Sequence, residues 1–224
     1  MIKVNWFLKK WHLVGGCLGL VLLATLLSWQ PTLSGLQFWL IANLLALFAH
    51  QVEEYQLPGG APLVINRVAY REKEQPDRYP GNACSIMVVN VTAWLVYGLA
   101  ILLPHCYWLG VGVIFFSLFQ ILGHLFEMNL VLRVWYNPGL ATTITLFPLV
   151  GWGYLHRLAQ QHLLTAATLA GGGLVLLACI LGTIVLPVQV LKDRATRWVI
   201  DPRQVAAFRR VMAHCRFGQR GVAK

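Results

Sequence analysis

The chain has 224 residues, of which 58% are hydrophobic and 12% charged, and its mean hydropathy is +0.62. Soluble domains carry about 25% charged residues, so these figures exclude an ordinary water-soluble globule and point to one integral membrane domain. A formal net charge of +10 often accompanies nucleic-acid binding, but neither zinc-finger spacing nor an aromatic-interleaved basic surface is present, so no nucleic-acid partner is expected.

Six apolar segments follow one another, over residues 12–29, 35–56, 83–103, 107–132, 140–156 and 163–187. Each approaches the roughly 20 helical residues that a hydrocarbon core requires. The predicted fold is an all-α polytopic membrane helix bundle of about six transmembrane helices, residues 1–187, followed by a basic tail, 188–224. Turn formers separate the segments: Gln30-Pro31, Pro58-Gly59-Gly60, Pro104, Asn137-Pro138-Gly139 and Pro187. The first segment has Lys9 and Lys10 before it, and Val14-Gly15-Gly16-Cys17 resembles a lipoprotein box. That box precedes most of the apolar run instead of following it, so the segment reads as a true first helix. The fifth is the shortest and contains Pro148 and Gly151, consistent with a kink or tilt. In the sixth, Gly171-Gly172-Gly173 reads either as a break or as a site of close helix packing. The five cysteines lack metal-type or redox-type spacing and read as small buried hydrophobes.

Charge distribution sets the orientation. With six spans both termini share a side, and every Lys and Arg except Arg157 falls on that side. The positive-inside rule makes both termini, the 57–82 loop and the Tyr136–Gly139 turn cytoplasmic, in a plasma membrane if the protein is prokaryotic. In the tail, Asp201-Pro202 reads as a helix start and Gly218 as its end. Val205, Phe208, Met212 and Cys215 share one face of that helix, with Arg203, Arg209, Arg210 and Arg216 turned away. This predicts a C-terminal amphipathic helix lying on anionic membrane lipid.

Against this apolar background two His-x-x-Glu pairs stand out: His50-Gln51-Val52-Glu53, followed by Glu54, and His124-Leu125-Phe126-Glu127. A charged residue within a span costs about 2.5–3.5 kcal/mol on insertion scales, and three of the 8 acidic residues in the chain are used here. On a helix, offsets of three and four put His50, Glu53 and Glu54 on one face, with Asn43 on the same stripe. Ser117, Gln120, His124 and Glu127 fall within an arc of roughly 80° at about 100° per residue. Spans two and four run in the same direction, so the pairs can meet at similar depth, with Asn90 added from span three. The bland readings are headgroup contacts for the first pair and an interhelical hydrogen bond for the second. His12, His105, His156, His162 and His214 read as interfacial.

Imidazole and carboxylate aimed at one point suit Zn, Fe or Mn, and bundle di-iron proteins use related Glu-x-x-His pairs. The expected metal ligands are His50, Glu53, Glu54, His124 and Glu127. Glu53, Glu54 and Glu127 are also the expected acid/base groups, and Asn90, Gln120 and Tyr136 the expected substrate contacts.

These residues resemble the HXXEE family of integral membrane proteins. His50-Gln51-Val52-Glu53-Glu54 matches its defining motif, and His124 with Tyr136-Asn137-Pro138-Gly139 matches its second, Asn-x-x-x-His followed by Tyr-x-Pro-Gly. Position 120 is Gln where that motif has Asn. The resemblance covers roughly residues 35–160 and implies importance for these positions, without implying a reaction.

The expected function is a membrane metalloenzyme acting on a hydrophobic small-molecule substrate, lipid-like or isoprenoid, by hydrolysis or oxidation. Two other readings use the same residues. One is a metal-free acid/base isomerase or cyclase, in which Trp39, Trp94 and Trp135 could stabilise a cation. The other is a proton or metal-ion transporter.

Overall fold

In a computed structural model, which describes residues 2–29 and 32–217 with side chains from residue 6 onward, each apolar segment forms a long helix, the last of them starting at Ala166 after the non-helical Leu163–Thr165. Gln30, Pro31 and Gly218 lie outside the described residues. The helices are α1 (Ile2–Trp29), α2 (Gly35–Tyr55), α3 (Ala61–Val68), α4 (Ala83–Leu102), α5 (Tyr107–Leu132), α6 (Leu140–Gln160), α7 (Ala166–Leu191) and α8 (Pro202–Cys215). No strand occurs among the described residues beyond an isolated bridge between Val134 and Arg216.

Side-chain caps set several helix starts by satisfying otherwise orphaned amides. Ser34 Oγ accepts from Gln37 N, Thr165 Oγ1 from Thr168 N, and Asp201 Oδ1 from Arg203 N, with Pro202 at the first helical position. Asn82 and Ser85 form a reciprocal capping box at α4. The residue ending α5, Arg133, is left-handed at φ 53°.

Five helices, α1, α2, α4, α5 and α7, are long and apolar enough to cross a membrane. Their outward faces carry exposed aliphatic side chains such as Leu20, Val21, Leu95 and Leu174, a surface suited to hydrocarbon and costly in water. The segment expected as the fifth span is the 21-residue helix α6, but it lies outside that apolar class. It packs against α2 and α5 and buries Thr143, Phe147, Tyr154 and Leu158. Its protein-covered side carries the hydroxyls of Thr142 and Thr143, and the exposed Thr145 hydroxyl is satisfied by donating to Ala141 O at 2.7 Å. α6 continues through Pro148, and α7 is helical through Gly171–Gly173. Gly172 sits against Val111 and the Gly112 backbone of α5, so the glycine run serves close packing.

Two segments depart from α geometry. Residues Leu122–Met128 within α5 and Ile180–Val185 within α7 are π-helical, with i→i+5 bonding that widens the turn. The first of these contains His124.

The basic segments gather at one end of the bundle. Asn82 Nδ2 donates to Leu191 O at 2.7 Å, Ile200 N to Asp77 O at 2.8 Å, and Trp135 N to Cys215 O at 3.0 Å. Arg194 pairs with Glu72 at 2.8 Å and lies over the Tyr79 ring. The apolar side of α8 that the sequence assigns to lipid is covered by protein: Val211, Met212 and Cys215 are buried with Val64 and Val68 of α3 and with Val134. His12, expected at the interface, is also buried, beside Tyr55 and Gln56.

Asn82 joins two elements through one side chain, capping α4 and holding the end of α7. Asn82→Ala is expected to lower stability by about 2 kcal/mol, one cap plus one buried hydrogen bond. Thermal unfolding in detergent measures this, and the side chains of the centre described next should be unaffected.

Candidate metal centre

The last turns of α2 bring three buried groups to the π segment of α5. His50, Glu54 and His124 are 3%, 6% and 1% exposed. His50 and Glu54 are four residues apart on α2 and therefore stacked on one face. Glu54 Oε2 lies 3.6 Å from His50 Nε2, and its Oε1 lies 3.4 Å from His124 Nε2. One donor atom from each residue falls within 4.8 Å of the other two. The imidazole rings stand edge to face at 5.0 Å.

The outer ring nitrogens determine what the inner ones present. Asn137 Nδ2 donates to His124 O at 2.8 Å and to Asn129 Oδ1 at 2.7 Å. Both its amide protons are thus used, and Asn137 Oδ1, 2.7 Å from His124 Nδ1, must accept. His124 therefore carries a proton on Nδ1 and turns Nε2 toward Glu54. In His50 Nδ1 is likewise the outer nitrogen, 3.0 Å from the Thr142 hydroxyl, which donates to Glu53 Oε2 at 2.6 Å, and 3.4 Å from the Thr143 hydroxyl. Two imidazole Nε2 atoms and the Glu54 carboxyl group face one another. At 3.4 and 3.6 Å these contacts exceed hydrogen-bond length. They involve different oxygens of Glu54, and two imidazoles with one carboxyl group are a ligand set of the kind that holds a divalent ion. The donor set fits a divalent metal, and the outer hydrogen bonds are of the kind that orient metal-bound histidines.

Glu53 does something different. Its Oε1 accepts from Tyr136 Oη at 2.8 Å and Ala141 N at 2.9 Å, and its Oε2 accepts from Thr142 N at 2.8 Å and from the Thr142 hydroxyl. The carboxylate caps the first turn of α6, where free amides and the helix dipole favour an anion. Four donors leave it no capacity for a metal. Burial, together with Glu53, pushes the Tyr136 phenol far above its ordinary value, so Tyr136 remains a donor. It contacts Glu53, not the three-residue centre.

Between these groups runs the Tyr136–Gly139 turn. Gly139 has φ +100°, and a Cβ there would meet His50 Cε1 at 2.8 Å, Glu54 Cγ at 3.0 Å and also His124 Cε1. Only glycine allows the turn to close so tightly over the centre.

Other expected site residues lie elsewhere. Glu127 is exposed and outside the His50–Glu54–His124 group, because the π turn breaks the α-helical spacing that would align it with His124. Asn90 accepts from Gln51 Nε2 at 3.0 Å and donates to Tyr55 Oη at 3.1 Å, on the side of α2 turned toward α4. Trp94 joins that cluster by donating to Gln51 Oε1 at 2.7 Å. Gln120 is half-buried and makes no side-chain hydrogen bond among the described residues. Ser117 bonds to Asn43 at 2.8 Å and Tyr97 at 2.7 Å. Asn43 precedes His50 by two turns, about 10 Å along the helix. Trp39 packs on Gly153, and Trp135 is exposed. Asn137 and Gly139, which lie in the Tyr136–Gly139 motif, complete the centre together with Thr142, which no sequence signal singles out.

Fold and site together define a class: a helical bundle with membrane-length helices and a buried two-histidine, one-glutamate cluster under a Pro-Gly turn. Residues 39–153 match the family described as "Protein of unknown function with HXXEE motif", and the chain belongs to that family. No curated protein and no solved structure matches the chain.

Two substitutions separate the supports of the centre. Glu53→Gln places an amide donor against the donors of α6 and should cost about 2–3 kcal/mol. Gly139→Ala forces a side chain into left-handed backbone and against both rings, at about 1–3 kcal/mol. Thermal unfolding in detergent reads both losses.

Proposed function

We propose that this protein is an integral membrane metalloenzyme that uses one divalent ion, Zn, Fe or Mn, to transform a lipid-like or isoprenoid substrate. In this reading His50, Glu54 and His124 hold the ion, Asn137 and Thr142 hold the rings, and Glu53 with Tyr136 anchors the turn above. The observation that carries it is the convergence of three buried side chains of metal-ligand type, His50, Glu54 and His124, with one ligand atom from each within 4.8 Å of the others. Two His and one Glu form the ligand set of several catalytic zinc sites, with a position left for water or substrate, and the same donors suit non-haem iron. Such an ion would supply Lewis acidity for hydrolysis or, if it is iron, a redox centre for oxidation of the substrate with dioxygen as the electron acceptor.

A lipidic substrate is supported by the surroundings. Leu122, Leu125 and Phe126, on the π segment that carries His124, are exposed. A molecule dissolved in the bilayer would reach this segment laterally. α6 completes a six-span topology in this reading. The clustering of the 57–82 loop, the Tyr136–Gly139 turn and the tail at one basic end supports placing both termini in the cytoplasm.

Metal content of the detergent-purified protein tests the centre. Wild type and Glu127→Ala are expected to hold about one equivalent of metal. His50→Ala, His124→Ala and Glu54→Gln should hold almost none, and Asn137→Ala should bind about 10–100-fold more weakly. Affinity should fall as pH is lowered, because protons compete with the metal for its ligands. A folded wild type that takes up none of the three ions on reloading would overturn the metal reading and leave acid/base chemistry by Glu54. The enzymatic part is tested with metal-loaded protein in phospholipid vesicles containing polyprenyl lipids, with products read by mass spectrometry. Turnover lost in Glu54→Gln supports it, and lipids unchanged under both hydrolytic and aerobic reducing conditions would sink it.

A further inference from the structure

A second site lies apart from the metal centre. A cavity of about 270 Å³ opens at the basic end, between the start of α1, the end of α2 and the first turns of α8. Four cations line it, Lys9, Lys10, Arg203 and Arg210, against one carboxylate, Asp201. That carboxylate is already committed. It caps α8 by accepting from Arg203 N at 2.9 Å and pairs with the Arg203 guanidinium at 3.0 Å. Among the described residues, no carboxylate lies within ion-pair distance of Lys9, Lys10 or Arg210.

Three cations without a direct ion pair, from two separate helices, thus border one concave space, a positive field that favours entry of an anion. Leu8 and Trp11 supply an apolar wall, both within the membrane-length apolar stretch Trp6–Trp29. Tyr55 and Gln204 sit alongside, tied by a hydrogen bond from Gln204 Nε2 to Tyr55 O, while Gln204 Oε1 accepts from Gly60 N at 2.7 Å. The walls are therefore fixed to the end of α2, and the space is not a gap between loose segments. A cationic rim above an apolar wall at the end of a membrane-length helix fits a phosphate group carried at the bilayer surface.

We propose that this cleft is a specific phosphate-binding site, occupied by the headgroup of an anionic phospholipid or by a soluble phosphate compound of the same chemistry. The site is independent of the metal centre and stands if that centre proves metal-free.

Native mass spectrometry of the full chain, with phosphatidylglycerol or phosphatidylcholine added to the detergent, tests the lipid source. Thermal unfolding with inorganic phosphate, against chloride at equal ionic strength, tests the soluble one. The variants are Lys10→Gln/Arg210→Gln and, as a control outside the cleft, Lys192→Gln. The expected result is retention of phosphatidylglycerol over phosphatidylcholine, weakened about tenfold or more in the double variant and unchanged in Lys192→Gln. Retention of the lipid with no phosphate-induced shift assigns the site to a headgroup. A phosphate shift that the double variant abolishes assigns it to the phosphate group itself. Equal weakening by Lys192→Gln would show diffuse charge attraction and overturn the proposal, as would no preference between the lipids together with no phosphate shift. Both substituted side chains of the double variant line the cleft and neither lies in a core cluster, so an unchanged unfolding temperature without ligand verifies that the variant is folded.

Discussion

The centre depends on a carboxylate that is not part of it. Glu53 receives four hydrogen bonds, from Tyr136, Ala141 and both the amide and the hydroxyl of Thr142. In a low-dielectric interior, satisfied charge is rigid and unsatisfied charge is expensive. These bonds fasten the end of α2 to the start of α6 and hold the intervening turn by its tyrosine. With the turn in place, Asn137 reaches His124, Gly139 closes over both rings, and Thr142 presents its oxygen to His50. Adjacent glutamates have thereby divided their work: Glu53 is fully occupied by protein donors, which leaves Glu54 as the free acceptor between two imidazoles.

That division explains why a protein would tolerate so unfavourable an arrangement. Polar groups gathered in a space screened from water are costly unless they are paired, and a bound cation would relieve that cost. Glu54 lies between the two rings, its Oε2 3.6 Å from His50 Nε2 and its Oε1 3.4 Å from His124 Nε2. The outer bonds to Asn137 and Thr142 hold the rings in that geometry.

How much of this can be read from the chain follows from which rules are local. Span positions depend on apolar length, and the i,i+4 stacking of His50 and Glu54 depends on helix geometry alone. The meeting of α2 and α5 follows from their common direction. What escapes is whatever tertiary context changes. The roles of Glu53 and Glu54 cannot be separated by spacing, because both lie on the same side of α2 and only the neighbouring α6 amides distinguish them. Asn90 shares the depth of the seam but meets Gln51, which is about 100° around α2 from His50. Thr142 and Asn137 look like ordinary turn residues until their partners are known. α6 is less apolar than the other long helices because neighbours, and not lipid, cover much of it. The amphipathic pattern of α8 is real, but hydropathy does not say whether an apolar face meets lipid or α3.

The π segment shows why a spacing rule can fail at the most informative place. In an uninterrupted α-helix His124 and Glu127 would share a face, and a third carboxylate would approach Glu54. The wider turn over Leu122–Met128 keeps His124 buried and turns Glu127 outward. With the proposed divalent ion bound, charge balance would give this a purpose. A divalent ion held by two neutral imidazoles and Glu54 alone leaves one positive charge in a hydrocarbon setting. Glu53, joined to His50 through the Thr142 hydroxyl, supplies the compensating charge. Ion, Glu53 and Glu54 then sum to zero, whereas an added Glu127 would make the site a net anion. In this reading the adjacent glutamates of the motif are a matched pair, one binding the cation and the other balancing it, and the π turn excludes the carboxylate that would spoil the balance.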